Sequence, residues 1–215
     1  STIFNCIFLD NHAKFNGGAI DCNATRMGLR NTVFDSNKGE YGAALCREAN
    51  ADGGYGFNNM FIANHAYKSG AALGWMNSSS IRIDTYFFYN NTADVSGGAI
   101  YVGNGSGRCH IINCDFEGNE VLNNTSGHGG AIEWYATEGL VLNSKFKNNH
   151  AFEGGAIFIE SIADNINITN TGFTANDAIA DGGAIYLLAS SATLNQTNFR
   201  DNTAVNGGAI YVGGR

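Results

Sequence analysis

The sequence predicts an all-β fold: a parallel solenoid of about eight stacked coils, each about 27 residues long and carrying three short strands. Three recurrences predict it. A phenylalanine returns at Phe8, Phe34, Phe61, Phe88, Phe116, Phe146, Phe173 and Phe199, at intervals of 26 to 30 residues along a 215-residue chain. Three residues after each comes an asparagine: Asn11, Asn37, Asn64, Asn91, Asn119, Asn149, Asn176 and Asn202. A few residues further on, GGAI begins at Gly17, Gly97, Gly129, Gly154, Gly182 and Gly207, relaxed to GAAL at Gly42 and Gly70.

Within a copy, the first element is a short apolar run, such as Ile81 with Ile83 or Ile166 with Ile168. It ends at a second asparagine series, Asn5, Asn31, Asn58, Thr85, Asn113, Asn143, Asn170 and Gln196, three residues before each phenylalanine. The phenylalanine lies in the second run, between two corners. Asparagine suits a corner because it tolerates left-handed backbone angles, and because its amide can donate to one neighbouring coil and accept from the other. The third run begins at GGAI, where glycine permits the turn back.

No apolar period of 3.6 residues lasts long enough for a helix. Coils stacked at about 4.8 Å place like residues over like, giving a rod about 40 Å long. The phenylalanines then form an internal stack, each burying about 2 to 3 kcal/mol of apolar surface before ordering costs. A second interior row is Ile20, Leu45, Leu73, Ile100, Ile132, Ile157, Ile185 and Ile210. The direction of Ala19 and its equivalents is open, since a bulge near the glycines would invert the count.

Composition narrows the function. Hydrophobic residues make up 44% and charged residues 14%, with 29 glycines and no proline. That suffices for a core, while asparagine, serine and threonine take over the solubilising role of charge. A net charge of -7 without a basic cluster argues against nucleic acid or an anionic membrane surface as partner. No apolar run approaches the roughly 18 residues of a membrane span, so no membrane insertion by this segment is expected. Cys6, Cys22, Cys46, Cys109 and Cys114 lack metal or redox spacing, and are expected to be mostly buried thiols. The chain starts and stops in mid-pattern, which suggests a single domain over residues 1–215 that is part of a longer repeat protein.

The pairing of FxxN with GGAI, as in residues 146–157, resembles the repeats of chlamydial polymorphic outer-membrane proteins and of adhesin-like surface proteins of methanogenic archaea. The resemblance covers essentially the whole chain. It implies a right-handed parallel β-helix in an extracellular cell-surface protein concerned with adhesion or surface structure, with no catalytic motif to transfer and no cofactor.

Variable positions are where function is expected, because the repeated ones are occupied with folding. The position after the isoleucine row holds Tyr101, Glu133, Phe158 and Tyr186, and two residues further on come Tyr135 and Glu160. Alternation points both rows toward solvent. Together these six make a candidate contact for glycans or surface proteins of another cell, with aromatic faces and carboxylates; the plainer reading is an aromatic stack that stabilises the strand face. Glu133 and Glu160 also raise a polysaccharide hydrolase or lyase, or a carbohydrate-binding module, since a backbone offset of about 8 Å fits the inverting range.

A second column follows the phenylalanine-side asparagine: Glu120, His150 and Asp177, with His128 in the long connection nearby. It is a weak candidate for zinc. A polar corner facing water is the simpler reading, because His12 and His65 recur at the same spacing without such partners. The fifth coil carries an insertion at residues 120–128, the kind of connection in which solenoid relatives differ. Sequons at Asn23, Asn77, Asn104 and Asn123 are candidates for glycan attachment. A filament of further copies of the same chain is another expectation, because neither end of the sequence carries a polar cap.

Overall fold

The structure is a computed structural model that describes residues 1–23, 26–48, 53–188 and 191–214. Its regular structure is all strand, and the pairings join each coil to the next in parallel about 27 residues away. Among the described residues no helix is long and apolar enough to cross a membrane.

Three parallel sheets of fourteen, eight and six strands form the faces of the solenoid. The fourteen-stranded sheet takes both the apolar run and the phenylalanine run, and single strands at Tyr55–Ile62 and Arg82–Tyr89 pass straight through the corner between them. The corner at the first asparagine series is therefore a bend within one sheet. The eight-stranded sheet is the third run, from Ile20–Cys22 to Ile210–Val212. The six-stranded sheet comes from short pieces after the second asparagine, such as Thr92–Ala93 and His150–Ala151, which sequence periodicity is too short to reveal.

The phenylalanines stack face to face, with centroids 4.5 to 5.3 Å apart, close to the strand spacing that sets them. Both Ala99 and Ile100, and their equivalents in other coils, lie in the core. Their two amides share one acceptor, Ala131 O, at 2.9 and 2.8 Å, so alternation breaks just after the glycines and resumes with Tyr101 outward. Trp75 and Trp134 fill the interior two residues beyond the isoleucine row. All five cysteines are thiols, with Cys22, Cys46, Cys109 and Cys114 buried.

The two asparagine series divide the two properties that suit asparagine to corners. The first adopts the left-handed region throughout, with φ from 48 to 57° including Thr85 and Gln196. The second does not: the left-handed residue there is the one before it, as at Ser36, Ala63, Asn90, Gly118 and Asn148. The second series instead forms a buried amide ladder. Asn91 Nδ2 donates to Asn119 Oδ1 and to Phe61 O, both at 3.0 Å, while its Oδ1 accepts from the Asn64 backbone amide at 3.1 Å and from Asn64 Nδ2 at 2.9 Å.

Candidate functional site

The site begins with the two glycines that open the third run. Gly129 sits at φ 63°, and a Cβ there would lie 2.1 Å from Ile132 O; one on Gly130 would lie 2.1 Å from Gly155 O. Only glycine fits either place. The turn they make is tight enough to fold the preceding residue onto the strand that comes after it. His128, before the pair, thereby reaches Glu133 of its own coil and stacks on Phe158 of the next, with ring centroids 4.1 Å apart and planes 8° from parallel. Ser69, Ser96, His128 and Glu153 bridge in register along this edge.

Glu133 is the centre of the arrangement. It is 2% exposed, and one carboxylate oxygen accepts a hydrogen bond from Ser96 Oγ, itself 2.9 Å from Ser69 Oγ. The other oxygen lies 3.4 Å from His128 Nδ1 and 3.4 Å from the Tyr135 hydroxyl. His128 Nε2 faces Glu153 Oε2 at 3.4 Å. One oxygen of Glu160 accepts the Ser161 amide at 3.3 Å.

Three carboxylates around one imidazole make the region electron-rich. Burial alone would lower the pKa of His128, but contact with Glu133 and the charges of Glu133, Glu153 and Glu160 outweigh it and leave the pKa raised. Burial raises the Glu153 carboxyl, against the opposing pull of His128. Tyr101 is pushed up to about 12 by burial and then by Glu133, and Tyr135 rises for the same two reasons with Glu160 added.

The six residues singled out on this face are brought together. Tyr101, Glu133, Phe158 and Tyr186 are successive partners across four coils. Their exposure differs from the expectation, however. Glu133 and Phe158 are each only 2% exposed, because the residues before the glycines fold over them; Tyr101, Tyr135, Glu160 and Tyr186 remain half-buried around the rim. Tyr101 and Tyr135 lie 5.7 Å apart, and Tyr186 is 4.7 Å from Phe158 and 4.8 Å from Tyr211. One oxygen of Glu133 and one of Glu160 lie within 4.8 Å of each other, closer than the backbone offset of about 8 Å.

The other column also takes a different form. Glu120, His150 and Asp177 are register partners, and His150 Nδ1 meets Asp177 Oδ2 at 2.9 Å, while Asp177 also accepts from Thr203 Oγ1. His128 does not pair with them; its contacts are Glu133, Glu153 and Phe158. Asn23, Asn77 and Asn104 are exposed, though Thr25 of the first sequon lies outside the described residues. Asn123 is half-buried, its Oδ1 accepting from Thr125 and Ser126.

Two features were not read from the sequence. One is the row before each glycine pair, which includes His128 and Glu153; its signal was a polar residue recurring at that place, as in Asn16, Ser69, Ser96, Asp181 and Asn206. The other is a groove of about 630 Å³ at the bend of the fourteen-stranded sheet, lined by residues including Tyr89, Glu117, Asn143, Lys145 and Lys147. Lys147 pairs with Glu117 at 2.7 Å, and Lys145 with Asp115 at 3.8 Å. The residues on either side of each phenylalanine alternate outward and were its signal.

The fold and its outward rows define a class: a repeat-built parallel β-solenoid rod with variable side chains on a constant scaffold. The profile of the Chlamydia polymorphic membrane protein repeat matches residues 5–23, 86–103 and 196–213. The matches fall on the first, fourth and eighth coils, and the coils between keep the same phenylalanine, asparagine and glycine positions. No curated protein matches the chain in sequence.

Proposed function

We propose that the chain is a segment of a non-enzymatic cell-surface adhesin, an extracellular rod whose variable outward side chains meet glycans or proteins of another cell. The observation that carries this reading is the match of the polymorphic membrane protein repeat to the first, fourth and eighth coils. Repeated positions are committed to the phenylalanine stack, the amide ladder and the glycine turns, so recognition falls to the rows that vary. Of these, the half-exposed Tyr101, Tyr135 and Tyr186 with Glu160 suit a saccharide or a polar protein surface. Tyrosine offers an apolar ring for stacking and a hydroxyl for hydrogen bonding, and each loses little rotamer freedom on contact.

The test applies the labelled rod to a glycan array and to cultured cells. Binding to a subset of glycans, or to a cell surface, is expected, and it should be lost in the Tyr101→Ala, Tyr135→Ala double variant with the melting temperature unchanged. Equal binding by that variant, or no binding by the wild type to any array or cell, would overturn the assignment.

A further inference from the structure

We infer that His128, Glu133 and Glu160 form a binding site for one divalent transition-metal ion, with zinc the best fit. The inference is independent of the adhesive reading. Each residue offers one donor atom, and the three donors lie within 4.8 Å of one another. Among the described residues no other group of three histidine, cysteine, aspartate or glutamate side chains brings donors this close. Tetrahedral zinc, with bonds of about 2.0 to 2.2 Å, holds its donors about 3.4 Å apart. His128 Nδ1 and Glu133 Oε1 already stand at 3.4 Å. Glu160, half-buried at the rim, has only to swing inward to complete three ligands. The donor set of one imidazole and two carboxylates suits zinc and other first-row divalent ions, whereas calcium and magnesium favour oxygen alone.

Glu133 and His128 are also held from behind, as the ligands of functional metal sites are. Ser96 hydrogen-bonds the second oxygen of Glu133, and Ser69 in turn fixes Ser96. Each ring nitrogen of His128 faces a carboxylate at 3.4 Å, so with a metal ion between Nδ1 and Glu133 the Nε2 proton would still be held by Glu153. The Phe158 ring fixes the imidazole plane. A lone pair facing a buried carboxylate is unfavourable unless a cation lies between them, and the cation is either a proton or a metal ion. A metal ion here would clip the fifth coil to the sixth and pin the C-terminal end of the 120–128 insertion.

Calorimetric titration of the chelator-stripped rod with zinc near neutral pH should show one site and a raised melting temperature. In Glu160→Gln, whose folding is checked by circular dichroism, affinity should fall by about tenfold or more, and further in His128→Gln. Cobalt, added in place of zinc, should give visible ligand-field absorption in the wild type that both variants lose. No zinc binding would leave a proton as the cation and overturn the inference. Zinc binding unchanged in both variants would overturn it equally, placing the ion elsewhere, with His150 and Asp177 the next donors to test.

Discussion

Asn143 and Asn149 stand six residues apart in one coil and do opposite work. Asn143 is exposed at φ 51°, and its side chain reaches only its counterparts above and below, Asn113 at 3.3 Å and Asn170 at 2.8 Å. Asn149 is fully buried: its amide donates to Asn176 Oδ1 and Phe116 O, and its Oδ1 accepts from the Asn119 backbone and side chain. The first is there for its backbone, the second for its amide. In an interior without water, an amide that donates in two directions and accepts in two is hard to replace.

The comparison is tested most severely at Asn149. Replacing it by alanine removes the acceptor of the buried Asn119 backbone amide, one of the two acceptors of Asn119 Nδ2, and the side-chain donor to Phe116 O and Asn176 Oδ1. Each such group costs about 1 to 3 kcal/mol, so a loss of about 3 to 5 kcal/mol is expected after partial relaxation. Aspartate should be worse still, because its oxygen would replace a donor opposite two acceptors and carry a buried charge. Urea denaturation measures both. A loss below about 1 kcal/mol for the alanine variant would show that the ladder is dispensable.

The architecture was legible because solenoid repetition makes like residues stack, so the phenylalanine, asparagine and glycine periods in the sequence are the contacts of the fold. Repetition could not convey direction at the turns. The break in alternation at Ala99 and Ile100 depends on a shared acceptor in the next coil, which no local pattern records. The same blind spot hid the site. Alternation points Glu133 and Phe158 toward solvent, yet both are buried because the glycine turn folds His128 over them, and that fold depends on φ at Gly129 and not on any residue count. Glu133 and Glu160 were recognised as neighbours. The sequence sets His128 in the long connection near Glu120, His150 and Asp177, whereas it lies five residues from Glu133 in the chain and meets that residue across the turn.

At Asn143 the opposite outcome is expected. Asn143→Gly keeps the left-handed backbone at no steric cost and gives up two exposed hydrogen bonds, so stability should change by less than about 1 kcal/mol. Asn143→Val, which cannot take that φ cheaply, should cost about 1 to 2 kcal/mol although it loses the same contacts. If glycine proved as damaging as valine, the first series would be supplying side-chain contacts and not backbone, and the distinction between the two asparagines would fail.

The smallest effect belongs to an outward residue that is part of neither ladder. His110 lies beside Arg82 and Leu140 on the fourteen-stranded sheet, and its pKa is lowered, first by partial burial and then by the Arg82 guanidinium. With a depressed folded pKa, the unfolded chain takes up the proton more readily. The contribution to stability is therefore present above the unfolded value of about 6.5 and lost as pH falls through the folded pKa. Because His110 is only partly buried and Arg82 is already paired with Asp84 at 3.0 Å, the change should stay well under about 1 kcal/mol. Comparing the wild type with His110→Gln at about pH 7 and about pH 5 isolates this contribution from His128, whose raised pKa works in the opposite direction. The wild type should lose more stability on acidification than the variant. Parallel curves would show that this outward row is electrostatically silent, and a His110 resonance titrating above about 6.5 by NMR would reverse the sign of the effect.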